Sequence, residues 1–303
     1  MKTLVIGAAI LDVMMKIDKL PEKGEDVLSN NSKLTVGGCA YNVACTLDNL
    51  GDDFDLLVPI GTGPIASFIE KGLRTRDFNT LIHEEGMDNG YCITIIEKDG
   101  ERTFITNRGL EGDFKKEWLN KLNLDKYDVV YIAGYEVLGE VGKIISDFFL
   151  DKGKLIFFAP GPLIKDIDEY TIDNFIRMKS IFHMNEKESK AFTGKNDAKE
   201  AIKQIHNLTG SPVFVSMGDK GCMYMEDKNI ELVKSKSIEV VDTVGAGDSH
   251  AASLIYGLKN GFDIEDSVKL ANKVAGLIVK TQGPTVEKHD FNEYMEEDQY
   301  AKN

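Results

Sequence analysis

Short apolar runs rich in Val, Ile, Leu and Phe recur along this chain, and stretches of helical length separate them. The runs cover residues 3–8, 56–60, 129–133, 155–159, 180–184 and 213–217. The segments 39–50, 66–74, 141–150 and 198–208 between them carry apolar residues at helical spacing. Strands that are apolar on both faces have to be covered from both sides, and strands that alternate with helices pair in parallel. The pattern therefore predicts an α/β fold, with a mainly parallel central sheet between layers of helices. The last third changes rhythm. Residues 222–226 and 230–233 read as a hairpin and residues 238–241 as a strand entering a Gly-rich turn, with helices near 248–259 and 266–281. No internal repeat, low-complexity segment or linker divides residues 1–303, which read as one domain.

One region departs from the strand-helix rhythm. Residues 91–97 and 102–107 flank Lys98-Asp99-Gly100-Glu101, and Asp-Gly at such a point is a strong hairpin signal. With residues 13–17 and a strand near 27–34, this makes a small separate sheet. Beside an α/β core, such an excursion reads equally well as a lid over a site or as a decorated edge.

Bulk properties exclude several function classes. The chain has 303 residues, 36 basic against 50 acidic, and a net charge of -14. That surface repels nucleic-acid backbones and anionic lipids, so neither is expected as a partner. A small anion can still bind locally through backbone N–H groups and Mg²⁺. Cys39, Cys45, Cys92 and Cys222 have no C-x-x-C spacing, which fits reduced thiols rather than a disulfide framework or zinc site. The apolar N-terminal run is interrupted by Asp12, and Lys16, Asp18 and Lys19 follow without a small-residue cleavage site, so it reads as a buried strand. A soluble, cytoplasmic protein is expected.

Three segments carry candidate chemistry. In Asp242-Thr243-Val244-Gly245-Ala246-Gly247-Asp248, placed between a strand and a helix, Gly245 and Gly247 allow a sharp turn and close approach of backbone N–H groups to a ligand. The helix that follows adds the positive end of its dipole. Asp248, in the first helical turn, is placed to take a proton from a hydroxyl beside a bound anion, or simply to complement the dipole. In Gly37-Gly38-Cys39-Ala40-Tyr41-Asn42-Val43-Ala44, the apolar residues share one helical face and Asn42 lies opposite. Its amide suits a polyol, being both donor and acceptor, or is an ordinary exposed Asn. In Asn185-Glu186-Lys187-Glu188, an Asn followed three residues later by Glu is a helix-capping arrangement, compatible with a Mg²⁺ water-shell site at a strand's C-terminal end.

Weaker candidates are Gly218-Asp219-Lys220-Gly221, a hairpin turn or pocket wall, and Asn272 on a broadly apolar helix, which reads as readily as an exposed polar position. The histidines have no metal-ligand spacing, and His250 turns about 200° away from Asp248 on a helix. There is no G-x-x-x-x-G-K-[ST], no G-x-S-x-G, and no complete dinucleotide fingerprint.

Together these segments resemble the ribokinase, or PfkB-type, carbohydrate kinase family. Its C-terminal signature D-T-x-G-A-G-D is matched in full, and its N-terminal Gly-Gly signature in Gly37, Gly38, Ala40, Asn42 and Ala44. The resemblance runs from Gly7-Ala8-Ala9-Ile10-Leu11-Asp12 to Gly283-Pro284-Thr285. It implies a ribokinase-like three-layer α/β sandwich with a discontinuous β lid formed by about 12–36 and 88–109. It implies a kinase that binds ATP and Mg²⁺ and phosphorylates a sugar hydroxyl. Asp248 is then the general base, Gly245, Ala246 and Gly247 the anion hole, and Asp12, Gly38 and Asn42 the substrate contacts. Asn185, Ser216, Gly218, Gly221 and Asn272 would contact ATP, Asn185 and Glu188 would act on Mg²⁺ through water, and Asp242 would lie near a monovalent cation such as K⁺. A homodimer through the lids is a further implication. Two departures bear on the substrate: Gly61-Thr62-Gly63-Pro64-Ile65-Ala66 stands where many relatives have G-x-D-x-x-G, and Ser249-His250 follows the signature. The resemblance is greatest to bacterial sugar kinases of poorly defined substrate.

The mechanism implied is in-line phosphoryl transfer from ATP, with lid closure excluding water. Two alternatives share the scaffold. A nucleoside kinase needs an aromatic platform, for which Tyr41 and Phe104 are candidates. A non-catalytic sugar or nucleotide sensor would need no intact Asp248 or glycines.

Overall fold

The computed structural model describes residues 2–300, with side chains through residue 296. Its strands are β1 (Thr3–Ile6), β2 (Ile10–Lys16), β3 (Asn31–Gly37), β4 (Phe54–Ile60), β5 (Thr80–His83), β6 (Tyr91–Ile96), β7 (Arg102–Asn107), β8 (Val129–Ala133), β9 (Leu155–Ala159), β10 (Ile181–Asn185), β11 (Val213–Ser216), β12 (Cys222–Glu226) and β13 (Asn229–Val233). Its helices are α1 (Cys39–Asn49), α2 (Pro64–Thr75), α3 (Lys116–Asn120), α4 (Gly139–Phe149), α5 (Glu169–Arg177), α6 (Glu186–Thr193), α7 (Ala198–Thr209), α8 (Ala246–Lys259), α9 (Ile264–Lys280) and α10 (Lys288–Tyr300).

The apolar runs build a nine-stranded sheet in the order β13-β12-β11-β10-β9-β8-β1-β4-β5. Pairing is parallel from β11 to β5, and the β11–β12 and β12–β13 pairs are antiparallel. Alternate residues of each strand enter different cores. Val5, Val129 and Tyr131 pack under α1, α2, α8 and α9, whereas Leu4, Ile6, Val130 and Ile132 pack under α3, α4, α5 and α7. That double burial explains why these strands lack apolar-polar alternation. The result is a three-layer sandwich. Because neighbouring strands run parallel, the ends of β1, β8, β9, β10 and β11 share one edge, where open α/β sheets place ligands.

A second sheet of four strands, β3-β2-β6-β7, stands beside this core. The Asp-Gly hairpin joins β6 to β7 as read, but β3 starts later than expected, at Asn31, because its register on β2 runs from Lys16↔Asn31 to Ile10↔Gly37. The strand expected over 238–241 does not form. The amides of Val241 and Asp242 both donate to the Val279 carbonyl, at 2.7 and 3.2 Å. This segment is therefore pinned to the end of α9 rather than paired in a sheet. Among the described residues no helix is long and apolar enough to cross a membrane.

Candidate active site

Two adjacent glycines place the first polar groups. A Cβ at Gly37 would fall on the Asp12 carboxylate, so only glycine lets β3 pass the side chain that β2 presents. Gly38 has φ 100° and caps α1. The helix it opens is buried on nearly every side, and Asn42 is only 5% exposed, against the expectation of a solvent-facing amide. Helix α1 is covered by the sheet and by α8 together, so its polar position is an interior one.

The signature turn fills the facing position. Gly245 has φ 79°, and a Cβ there would strike the Pro284 carbonyl, so this glycine makes the turn. Gly247 lies in α8, and a Cβ there meets nothing within 4 Å. The expectation that Gly247 also serves the sharp turn is therefore corrected: its missing side chain leaves room for something outside the protein. The first amides of a helix lack intrahelical carbonyls, and Ala246 N alone makes a turn bond, to Thr243 O at 3.3 Å.

Asn42 and Asp248, 206 residues apart, meet between these turns. Asn42 Nδ2 donates to Asp248 Oδ2 at 2.8 Å, while Asn42 Oδ1 is buried with no partner. Burial pushes the Asp248 carboxyl up to about 6, against the stabilising Asn42 bond. Burial and the Asp248 charge push Asp12 up to about 7. Cys39, at the start of α1, is held well above the ordinary thiol range by burial and by Asp248, which leaves it an unreactive thiol.

The remaining candidates lie on the other side of the turn. A cavity of about 260 Å³ is lined by Ser216, Gly218, Gly221, Asn272, Ala246 and Gly247 among others. It brings four of the five expected nucleotide contacts together with Ala246 and Gly247 of the signature turn. Gly221 has φ 104° and a Cβ there would strike the Val233 carbonyl, so this glycine sets the wall's shape. Asn272 is buried rather than exposed, donating to Val233 O at 3.0 Å and lying 3.3 Å from His250 Nε2. Since Asn272 offers Oδ1, His250 donates from Nε2 and accepts at Nδ1 from His183 Nε2, 3.0 Å away. Burial lowers both imidazoles, His250 to about 4, so the relay is neutral.

Asn185 is not on that cavity's lining. It ends β10 opposite Ser216 and forms a full capping box with Glu188. Glu188 Oε1 accepts from Asn185 Nδ2 at 2.7 Å, Glu188 Oε2 accepts from Asn185 N at 2.9 Å, and Asn185 Oδ1 accepts from Glu188 N at 2.9 Å. Burial raises the Glu188 carboxyl despite these bonds, and its charge in turn raises that of Asp248.

Two residues here escape sequence reasoning. Glu136, in the turn after β8, is 3% exposed, and its Oε2 has no partner. Burial pushes it up to about 8 against the pull of Arg108. The signal that finds it is positional, since it follows a strand at the same sheet edge as Asp12. Arg102 reaches from β7 to Asp242 Oδ1 at 2.9 Å and to Thr243 Oγ1 at 3.2 Å, and no pattern in the sequence announces it.

Known proteins bear on this arrangement. The chain matches the description "pfkB family carbohydrate kinase" over residues 2–290. It is 30% identical over 285 residues to the uncharacterized sugar kinase YegV of Escherichia coli (strain K12), covering 92% of this chain and 89% of that protein. Its fold is similar to that of a ribokinase from Thermotoga maritima, with a TM-score of 0.82 and 18% identity over 97% of this chain and 99% of the other. It is likewise similar to a nucleoside kinase from Burkholderia thailandensis in complex with inosine, with a TM-score of 0.78 and 17% identity over 97% of this chain and 98% of the other. These two likenesses speak for the fold; the assignment to a family rests on the sequence match along almost the whole chain. By that match, this chain is a member of the PfkB family of carbohydrate kinases.

Proposed function

We propose that this protein transfers the γ-phosphoryl group of ATP to a hydroxyl of a small sugar. The observation that carries the reading is the pairing of Asn42 with Asp248, which leaves Asn42 Oδ1 buried and unpartnered beside two carboxylates of raised pKa. A buried acceptor without a partner costs about 1–3 kcal/mol, a cost recovered when a ligand hydroxyl donates to it. Asp12, Asn42 and the Gly38 turn grip the sugar. Asp248 takes the proton of the attacking hydroxyl, being ionised at neutral pH yet more basic than an ordinary carboxylate.

The amides at Gly245, Ala246 and Gly247, with the dipole of α8, hold the charge that develops on the transferred phosphoryl group. ATP lies in the cavity bounded by Ser216, Gly218, Gly221 and Asn272, with Asn185 at its edge. Mg²⁺ fits Asn185 and Glu188 as an outer-shell ion: both Glu188 oxygens already accept from Asn185, but each keeps a second lone pair for a water. When bound, the ion neutralises phosphate charge. The four-stranded sheet acts as the lid, over residues about 12–36 and 88–109. On its outer face Leu34, Val13, Ile93 and Ile105 stand in one cross-strand row, with Leu34 and Ile105 each 54% exposed. A second copy of this chain covers that row in a homodimer.

A nucleoside substrate is the second reading. Tyr41 is no platform for a base, since it is buried edge-on to Phe78. Phe104 is 55% exposed and stands in register with Met14, on the face of the small sheet that carries Asp12. The test is ADP release with Mg²⁺ and ATP against a panel of sugars and nucleosides, with the product identified by ³¹P NMR. A phosphate monoester of a compound with neighbouring hydroxyls is expected. ADP release that no compound raises would favour a sensor instead.

A further inference from the structure

The carboxylate of Asp242 sits behind the signature turn, and three N–H donors point at it. Oδ1 accepts from Val244 N at 2.9 Å and pairs with Arg102 Nη2 at 2.9 Å, while Oδ2 accepts from Gly283 N at 3.1 Å. The side chains of Arg102 and Asp242 are 18% and 3% exposed, so the pair is largely removed from water. The same guanidinium donates from Nη1 to Thr243 Oγ1 at 3.2 Å. Its strand, β7, belongs to the small sheet, whereas Asp242 and Thr243 belong to the turn that opens α8.

A monovalent metal ion at Asp242 would need oxygen lone pairs and an uncompensated negative charge. Here three of the carboxylate's four lone-pair positions face N–H donors, and the charge already has a fixed cation at contact distance. The residues present therefore do not fit such an ion. We propose that Arg102 is the built-in counter-cation of the signature turn, so that the enzyme works without K⁺ or any other monovalent metal ion at Asp242. The same contact ties the small sheet to the turn. Asp242 holds Gly283 in place, and the adjoining Pro284 carbonyl packs directly against Gly245. Arg102 is thus a positioning residue for Gly245, Ala246 and Gly247; that part rests on the reading of this turn as the anion hole.

The test compares thermal stability and ADP release in KCl, NaCl and tetramethylammonium chloride at one ionic strength. The proteins are wild type, Arg102→Ala and Arg102→Lys. Wild type should show the same Tm and turnover in all three salts, within about twofold. Removing one partner of a buried pair leaves an uncompensated charge, so Arg102→Ala should lose about tenfold or more in turnover and melt lower in tetramethylammonium. K⁺, small enough to enter, should restore part of both, and Arg102→Lys should remain indifferent to the salt. A wild-type Tm or turnover that rises specifically with K⁺ overturns the proposal. So does an Arg102→Ala protein that matches wild type in tetramethylammonium. The melting series needs no substrate, so it stands even if the kinase reading fails, and the wild-type series stands even if Arg102→Ala does not fold.

Discussion

The two ends of the site treat their polar groups in opposite ways. At Asn185 and Glu188 every polar atom of the pair that faces the helix has a partner within the pair. Asn42, bonded to Asp248, keeps its Oδ1 buried without one, as do Glu136 Oε2, Arg102 Nε, Thr171 Oγ1 and Ser180 Oγ elsewhere among the described residues. Since nearly all buried polar groups in folded proteins are satisfied, an unpartnered acceptor bonded to the proposed base is, in the proposed function, where a ligand hydroxyl docks. The Asn185 end builds its own helix first and, in the proposed function, touches a ligand only at second hand. On that proposal the difference separates a recognition surface from a scaffold that borders it.

The sharpest way to break this comparison uses Gly245 and Gly247, one in the turn and one in α8. Gly247→Val should fold with an unchanged or slightly raised Tm, because its Cβ meets nothing in the protein and valine is a better helix former than glycine. Turnover should nevertheless fall by about 10²–10³, the cost of spoiling an oxyanion contact. Gly245→Ala should do the reverse first, lowering Tm, since its φ of 79° and the Pro284 carbonyl both exclude a Cβ. Wild-type turnover in folded Gly247→Val would mean that no anion approaches that amide.

Next in size is Asn42→Leu. Its loss should cost about tenfold or more in kcat/KM, because sites built to hydrogen-bond hydroxyls lose heavily without their partners. It should also move the acid limb of the pH profile. In wild type kcat/KM should rise with pH through about 6, as Asp248 ionises. The Asn42 bond favours the carboxylate, so its removal raises the Asp248 pKa and shifts the limb to higher pH. An unmoved limb would detach Asn42 from Asp248.

A stability measurement follows. The Asp12 carboxyl is raised to about 7 in the folded protein, above the value of an unfolded chain, so the native state binds the extra proton. Stability should therefore decline as pH rises through the window between the ordinary carboxylate range and 7. Asp12→Asn removes that decline, and it should melt above wild type at pH 8 and close to it at pH 4. The smallest effect is expected at the satisfied end. Glu188→Gln should barely change Tm, since most capping geometry survives, but should need severalfold more Mg²⁺. Superimposable Mg²⁺ titrations would leave Glu188 as a cap alone.

How far the sequence discloses this molecule follows from which interactions are local. The strands, the helices and the Asp-Gly hairpin rest on periodicity and turn chemistry, which a sequence carries directly. The start of β3 and the course of the segment 238–241 depend on partners elsewhere, in β2 and α9, so no local pattern fixes them. Asp248 and Gly245 announce themselves in a motif. Gly247 resembles Gly245 in sequence and differs only in what surrounds it. Asn42 reads as exposed because helical periodicity cannot count the layers packed on both sides of α1. Arg102 is invisible for the same reason, mattering only through residues distant in the chain, whereas Glu136 shows only by its place after β8.

The central claim is that Asp248, held by Asn42, removes the proton from the attacking hydroxyl. Asp248→Asn tests it most directly, assayed for turnover and for binding of ATP and of the sugar that wild type phosphorylates. The amide keeps the shape and cannot accept the proton, so turnover should fall by about 10²–10⁴ while both affinities stay within severalfold. A variant that keeps more than about half of the wild-type turnover, where the loss of a general base demands at least about a hundredfold, would contradict the account.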